Sequence, residues 1–415
     1  MKKNVIIIGG GAIGLCAAYY LHQQGASVTV VDKGEMGEGS SHHNAGYLSP
    51  SHFAPLAAPG LFWQGIKWMF NPRSPLLIKP RLDPNFLSWV WKFKNACDEK
   101  VLRRAIPTLR DLLLESLRLT EALSSLDGMN FDFVKNGQLI LYRTSQGKVS
   151  LEHEARLADE YGVEARLLDR SQLQQLDPAV EYCADGGVYF PGDAHLIPAS
   201  FVKNLSAHLK RCGIQLIPNC EVTGFEKSNG HISAINTNKG KMQADEYVLA
   251  GGAWSPGLIH DLGIKMFLQA GKGYSITVKD PPVKPGIPSI FSERRVAITP
   301  FPDSLRFAGT MEFSGLNLTI RQERVTAILD SIPLYYGNVQ RPDLATAQVW
   351  CGMRPVTPDG MPYIGRFKQY SNLIATTGHA MVGISLAAVT GKLVMEIVTG
   401  KPSFDLTLLN PNRYD

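Results

Sequence analysis

The chain has 415 residues, 44% hydrophobic and 19% charged, which is length enough for two domains with ample buried cores and a composition ordinary for a globular protein. A formal charge of +5 is too mild over so large a surface to argue for nucleic acid as a partner. Six scattered cysteines, with no C-x-x-C pair and no histidine cluster beside them, argue against zinc and against a disulfide framework, so reduced thiols and no metal are expected.

The chain opens as strand, glycine loop, helix, strand. Met1-Lys2-Lys3 and the apolar residues after it resemble the start of a signal peptide, but three consecutive glycines and a strand-like continuation to Asp32 argue against one. Val5–Ile8 is a continuous apolar run, as a buried parallel strand requires, and Val28–Val31 is a second. Between them Ile13–Leu21 suits a helix, with Gly25 placed to end it.

Residues 58–104 differ in character. Trp63, Trp68, Trp89 and Trp91 are interspersed with Lys67, Lys79, Arg81, Lys92 and Lys94, and Pro72, Pro75, Pro80 and Pro84 divide the stretch into short pieces. Ile106, Leu109, Leu113, Leu117, Thr120 and Leu123 then recur at helical spacing, predicting an amphipathic helix. Phe131–Val134 and Gln138–Tyr142, split by Asn136-Gly137, predict a β-hairpin.

A helix starting at Pro198 is expected next, followed by strands around Val222–Phe225, Ile232–Thr237 and Tyr247–Ala250, the last ending in Gly251-Gly252. Alternation in Tyr274–Val278 and Leu305–Thr310 predicts antiparallel strands, and Gln322–Ser331 a helix. The tail carries a strand at Leu373–Thr376 and a helix from about Ile384 to Val398, closed by Gly400. No apolar run reaches about 18 residues, so no spanning helix is expected.

This order implies an α/β fold: a Rossmann-like nucleotide-binding domain with a discontinuous, mainly antiparallel α+β substrate domain. The first takes residues 1–57, 195–258 and 346–415, the second 58–194 and 259–345.

Gly9-x-Gly11-x-x-Gly14 lies between the first strand and the first helix. The first glycine permits the tight turn, the second lets backbone approach a pyrophosphate, and the third lets helix pack on strand. The helix N-terminus at Ala12 and Ile13 offers N–H groups and a positive dipole end to phosphate. Asp32, with Lys33 beside it, ends the second strand where a ribose would be bound. A turn that serves only helix–sheet packing is the plainer alternative; strand, helix and acidic residue together favour a dinucleotide. Ser40, Ser41, Asn44, Ala45 and Gly46 are small or donor residues suited to backbone passing close to a flavin diphosphate. In the tail, Gly378, Met381, Val382 and Gly383 precede a helix whose N–H groups suit the anionic edge of a reduced flavin. These features favour FAD over NAD, with Val222, Gly251 and Gly252 assigned to the same cofactor site.

Three further runs carry a resemblance. They are Pro55-Leu56-Ala57-Ala58-Pro59-Gly60, Ile66-Lys67-Trp68-Met69-Phe70, and Gly352-Met353-Arg354-Pro355-Val356-Thr357-Pro358-Asp359-Gly360 with Met361-Pro362-Tyr363-Ile364-Gly365. With the opening strand and Asn44-Ala45-Gly46, they make the chain resemble the D-amino-acid oxidase superfamily, most closely its bacterial D-amino-acid dehydrogenase branch, over nearly the whole length. The resemblance implies that Arg354 clamps the substrate carboxylate, a task that suits a planar guanidinium able to pair both oxygens. The plainer role for Arg354 is a structural ion pair. Glycine oxidases of the superfamily carry a substrate-binding tyrosine where Ala297 aligns and an arginine where Met381 aligns, and their absence points to a more apolar pocket. Glu312 is a candidate to hold the substrate amine, against the plain alternative of a solvated strand-end charge. Tyr274 and His52 are candidates to line the pocket.

The leading expectation is therefore FAD-dependent oxidation of a D-amino acid or a cyclic D-imino acid such as D-proline or hydroxy-D-proline. Electrons would pass to a quinone or an electron-transfer chain. A glycine/sarcosine-type oxidase that makes peroxide is the alternative enzyme, and a non-catalytic flavin-bearing relay subunit the alternative of another class. Residues 62–94 read as substrate-domain core and lid, or as a peripheral contact with an anionic bilayer. The expected location is cytoplasmic, with peripheral placement at the inner face of the cell membrane as the resemblance implies. Oligomeric state is left open.

Overall fold

Strands that are apolar on both faces have to be covered on both faces. The computed structural model describes residues 3–69, 74–79 and 81–415; Met1, Lys2, Phe70, Pro72 and Pro80 of the sequence reading lie outside them. It sets Asn4–Ile8 and Ser27–Val31 side by side in a six-stranded sheet, with Gln215–Ile217 beyond the second and Glu246–Leu249, Leu373–Thr377 and Tyr363–Arg366 beyond the first. All neighbours run parallel except the antiparallel edge pair Tyr363–Arg366 and Leu373–Thr377. Alternate residues divide between two cores. Val5, Ile7, Val28 and Val30 pack under the helices Ala12–Gln23, Pro198–Arg211 and Ala387–Thr399. Ile6, Ile8, Val31 and Leu249 pack under an antiparallel meander, Val222–Ser228, His231–Thr237 and Gly240–Met242. This is the Rossmann-like layer.

The second sheet has nine strands. From one edge it runs Gln348–Val356, Gln269–Lys279, Ser304–Phe313, Val296–Phe301, Ser289–Phe291, Gln138–Tyr142, Gly186–Phe190 and Arg166–Asp169, with Leu76–Ile78 pairing on Ser304–Phe313. One face packs on the helices Gln322–Leu329 and Ile332–Tyr335.

Three expectations are revised. Gln348–Val356 was assigned to the nucleotide-binding pieces, yet it hydrogen-bonds along its whole length to Gln269–Lys279, so the chain returns to the first layer only at Tyr363. The hairpin does not form. Gly137 makes its turn at φ +78, but Val134 bridges to His195, while the fully buried Gln138–Tyr142 takes Gly186–Phe190 and Ser289–Phe291 as its two neighbours. A strand buried on both faces in mid-sheet needs partners on both edges, and the 131–134 segment supplies neither. Third, the C-terminal helix starts at Ala387, because residues 381–386 are spent in turns. The amphipathic helix is longer than its periodicity suggested: Glu99–Ser124 continues through Pro107 and packs against Ala387–Thr399.

Candidate active site

At the phosphate end, geometry demands glycine at two positions. Gly9 stands at φ +115, and a Cβ there would lie 2.4 Å from the Ala250 carbonyl oxygen. A Cβ on Gly14 would lie 1.9 Å from the Gly9 carbonyl oxygen. The helix beginning at Ala12 has no side-chain cap and no acidic residue in its first turn, which leaves its positive end for an anion. The Ala12 N–H donates to Ser41 Oγ at 3.0 Å, tying the 40–46 loop to this end. Asp32 is pinned across the mouth: Oδ2 accepts from the Gly10 N–H at 2.6 Å and Oδ1 from the Gly34 N–H at 2.9 Å. The Lys33 ammonium lies 4.1 Å from the Trp254 ring centroid, next to the Gly251-Gly252 turn, and Val222 is buried at the start of the meander. A Cβ-free cradle, an open helix end and an oriented carboxylate fit a dinucleotide.

The same loop reaches the second sheet. Ser40 Oγ donates to the Met353 carbonyl at 2.6 Å, Thr299 Oγ1 to the Ala45 carbonyl at 2.7 Å, and Arg306 Nη1 to the Asn44 carbonyl at 2.7 Å. Asn44 closes the loop on itself, its Oδ1 accepting from the Gly46 N–H at 2.8 Å. From the tail, the Ala380 N–H donates to the Pro355 carbonyl at 2.8 Å, and Val356 bridges to His379. Gly378, at φ +84, has room for no side chain, since a Cβ would meet Thr357 Cγ2 at 2.6 Å. The Val382 N–H is spent on the His379 carbonyl, Gly383 lies in the following turn, and Met381 is 53% exposed. Ser40–Gly46 and Gly378–Gly383 thus converge on one strand, Gln348–Val356, which carries Arg354.

Arg354 sits opposite Gly271 in the register. Its guanidinium lies over the neighbouring Gly273, and Nη1 donates to the Thr310 carbonyl at 2.8 Å. Burial pushes its pKa down to about 10, and among the described residues no carboxylate pairs with it. That leaves most of its donor fork for a ligand.

The register puts Tyr274, Lys272 and Glu312 on the opposite face of the sheet from Arg354. Tyr274 Oη donates to Glu312 Oε2 at 2.9 Å, and Lys272 Nζ lies 3.3 Å from Glu312 Oε1, with both charged side chains almost fully buried. Burial pushes the Glu312 carboxyl up, but the Ser314 and Tyr274 hydroxyls and the Lys272 ammonium outweigh it and hold the group below its usual value. His52 ends a short turn, Pro50–His52, packed on the helix Glu99–Ser124, and burial with Arg295 nearby pushes it down to about 4.

Sequence reasoning passed over Arg306, Thr299 and Trp350, and placed His42 and His43 near the flavin site by proximity alone. The Trp350 ring covers Gly352, where a Cβ would meet it at 1.9 Å, and His43 packs against it with centroids 5.2 Å apart. One signal was available: Arg306 is a charge inside Ser304–Phe313, a strand buried at every position.

The family described as FAD dependent oxidoreductase matches residues 4–397. The D-amino acid dehydrogenase of Xanthobacter autotrophicus is 32% identical over 419 residues, 99% of each chain. That of Helicobacter pylori is 31% identical over 398 residues, 96% of this chain and 95% of its own. Among solved structures, glycine oxidase from Geobacillus kaustophilus shares the fold with a TM-score of 0.78 at 23% identity, covering 100% of both chains. L-proline dehydrogenase from P. horikoshii does so at 0.72 and 20% identity, covering 100% of this chain and 98% of its own. At those identities the structural likeness is one of fold.

Proposed function

Because this chain belongs to the FAD dependent oxidoreductase family, with FAD as its cofactor, we propose that it is a D-amino acid dehydrogenase acting on an acyclic D-amino acid or a cyclic D-imino acid of the D-proline type. The observation that carries the reading is Arg354: a guanidinium with no carboxylate partner among the described residues, seated on bare backbone where the two candidate cofactor loops meet. FAD, when bound, supplies the acceptor for the hydride leaving the substrate Cα.

The residues have a limited task. Arg354 pairs both oxygens of the substrate carboxylate and fixes the Cα–H toward the ring system. Ala297, Ala308 and Ser275, on the same sheet face by register, leave space for a side chain or a pyrrolidine ring. Residues 74–79 and 81–96 wall this face. Leu76–Ile78 pairs with Met311–Phe313, Trp89 Nε1 donates to the Val356 carbonyl at 2.9 Å, and Phe86 and Trp89 pack with Met311 and Val356. That wall excludes water from the reacting carbon. The imine product is hydrolysed in water to the 2-oxo acid and ammonia, or leaves as the cyclic imine.

Exposed side chains of the helix Leu61–Met69 and of residues 81–94 support a peripheral membrane contact, through which a quinone would take the electrons. Trp63 and Trp91 are each 62% exposed and Leu82 99%, with the Lys94 ammonium 5.9 Å and 5.3 Å from the two indole centroids. Among the described residues no helix is long and apolar enough to cross a membrane. Flotation with anionic vesicles at low salt tests the contact: wild type should float and a Trp63→Ser, Trp91→Ser double variant should not. Failure of the wild type to float removes this part of the proposal.

Anaerobic bleaching of the flavin by D-alanine, D-proline, cis-4-hydroxy-D-proline, glycine, sarcosine and L-enantiomers tests the activity. Bleaching by D-substrates alone supports the proposal. Bleaching by glycine or sarcosine with peroxide release under air replaces it with an oxidase, and no bleaching of a flavin that dithionite reduces points to a relay subunit.

A further inference from the structure

Arg306 is the second guanidinium of this sheet face and has no role in the carboxylate clamp. It pairs in register with Thr277 on one side and Thr299 on the other, is 6% exposed, and donates from Nε to Thr277 Oγ1 at 3.0 Å and from Nη1 to the Asn44 carbonyl at 2.7 Å. The Phe301 ring centroid lies 5.0 Å from Cζ. Among the described residues no carboxylate pairs with it, and the chain from Gly39 to His52 contains no acidic residue.

An uncompensated buried cation is costly, and a carbonyl dipole with a ring face offsets only part of that cost. The missing anion must come from what the site binds. The substrate carboxylate is met by Arg354 on another strand. Arg306 is instead anchored to the 40–46 loop, where Ser41 accepts from the Ala12 N–H at the phosphate end and the adjoining Ser40 donates to the Met353 carbonyl beside Arg354, so the loop stands where the open helix end and the Arg354 strand come together. His42 and His43 stand on that loop with ring centroids 4.4 Å apart. Burial first, then the charge of Arg306, pushes the His42 imidazole down, and burial with His42 and Arg306 beside it pushes His43 down to about 4, which disfavours a competing positive charge on the loop.

We propose that Arg306 is a positioning residue that holds the Asn44 carbonyl in place and sets a fixed positive charge beside the flavin, favouring its anionic reduced form. It thereby raises the driving force for taking electrons from the substrate without touching the substrate itself. The inference rests on FAD binding, and failure of that premise would show separately, as a wild-type protein without flavin absorbance.

The test uses the flavin-loaded protein and sulfite, whose lone pair adds to N5 of an oxidised flavin and leaves the negative charge on the ring. Arg306→Gln keeps a donor for the Asn44 carbonyl and removes the charge; Arg306→Lys keeps the charge. The Gln variant should bind sulfite at least roughly tenfold more weakly and have a more negative flavin midpoint potential, with KM for the amino acid little changed. The Lys variant should recover most of both. Wild-type sulfite affinity and potential in Arg306→Gln, or a loss confined to KM, would overturn the proposal. Should the Gln variant fail to load flavin, a Lys variant that loads flavin yet binds sulfite as weakly as free flavin would do so as well.

Discussion

Gly273 is the floor on which Arg354 lies: a methyl group at 273 would stand 2.1 Å from Arg354 Nη1 and 2.3 Å from Cζ. The two residues are on adjacent strands, and the missing side chain of one is what lets the other lie flat and keep its fork free. Gly273→Ala must displace the guanidinium. We expect KM for the amino acid to rise by about tenfold or more, since misplacing an orienting group by an ångström is enough for that, while flavin content stays at the wild-type level. Unchanged steady-state kinetics would show that Arg354 does not need this pose.

Arg354 itself should behave as a substrate residue. Truncating one partner of a buried, hydrogen-bonded charge pair costs about 2–5 kcal/mol, so Arg354→Met should lose roughly 10²- to 10³-fold in kcat/KM. Arg354→Lys should recover only part, because an ammonium cannot reproduce the planar two-point contact. The flavin spectrum and its reduction by dithionite should be those of the wild type. Loss of flavin together with activity would count against the assignment.

Gly14→Ala separates folding from cofactor binding. Its Cβ would collide with the Gly9 carbonyl, forcing the helix away from the strand at the phosphate end. The expected product is a folded protein with little flavin, read from the ratio of visible to protein absorbance after purification. Normal flavin content would show that the dinucleotide is held elsewhere.

Glu312 and Lys272 form a buried ion pair, with Tyr274 donating to the carboxylate. Removing one partner leaves an uncompensated buried charge, at a cost of about 3–5 kcal/mol. Glu312→Gln should therefore lower the thermal midpoint by several degrees, with KM for the amine unchanged among the folded molecules. A rise in KM at an unchanged midpoint would instead make Glu312 a ligand for the substrate amine.

Asp193 makes a pH dependence visible. Burial pushes its carboxyl up to about 7, even though the Ser51 hydroxyl and N–H both donate to it. In the unfolded chain the group titrates near ~4. Between those values the folded protein keeps a proton that the unfolded chain has released, so stability falls as pH rises through this window, by up to about 1.4 kcal/mol per pH unit. Asp193→Asn is neutral throughout and should lose that slope in thermal midpoints measured from pH 5 to pH 8, on the order of the window itself. Parallel curves for the two proteins would mean that Asp193 is ionised in the fold.

The glycine loop, the helix that Gly25 ends and the Asp32 strand end were legible in sequence because each is a local event, with its turn chemistry and apolar period contained in some thirty residues. Arg354 was legible for a different reason: it lies in a run distinctive enough to carry a resemblance. The pairing of Gln138–Tyr142 was not legible, since its neighbours are Gly186–Phe190 and Ser289–Phe291 and nothing in residues 131–142 records them. Glu312 illustrates the same limit. Its sequence context, Gly309-Thr310-Met311-Glu312, reads as a strand end, while its partners Lys272 and Tyr274 belong to another strand whose register includes a bulge.

What the sequence determined by itself is the chemistry on offer: a glycine-rich strand-to-helix turn with a carboxylate at the next strand end, a loop of small and donor residues, a guanidinium in a distinctive run, and strands apolar on both faces that had to be sandwiched. The tertiary structure alone decided which of these groups meet. It set Arg354 on the edge strand of the second sheet, turned Glu312 and Tyr274 to the far face, and left Arg306 buried against the Asn44 carbonyl with no carboxylate partner among the described residues. The reason is physical. Which face a strand residue occupies follows from pairing register, and register is set by contacts between segments distant in the chain, where a shift of one residue reverses every side chain.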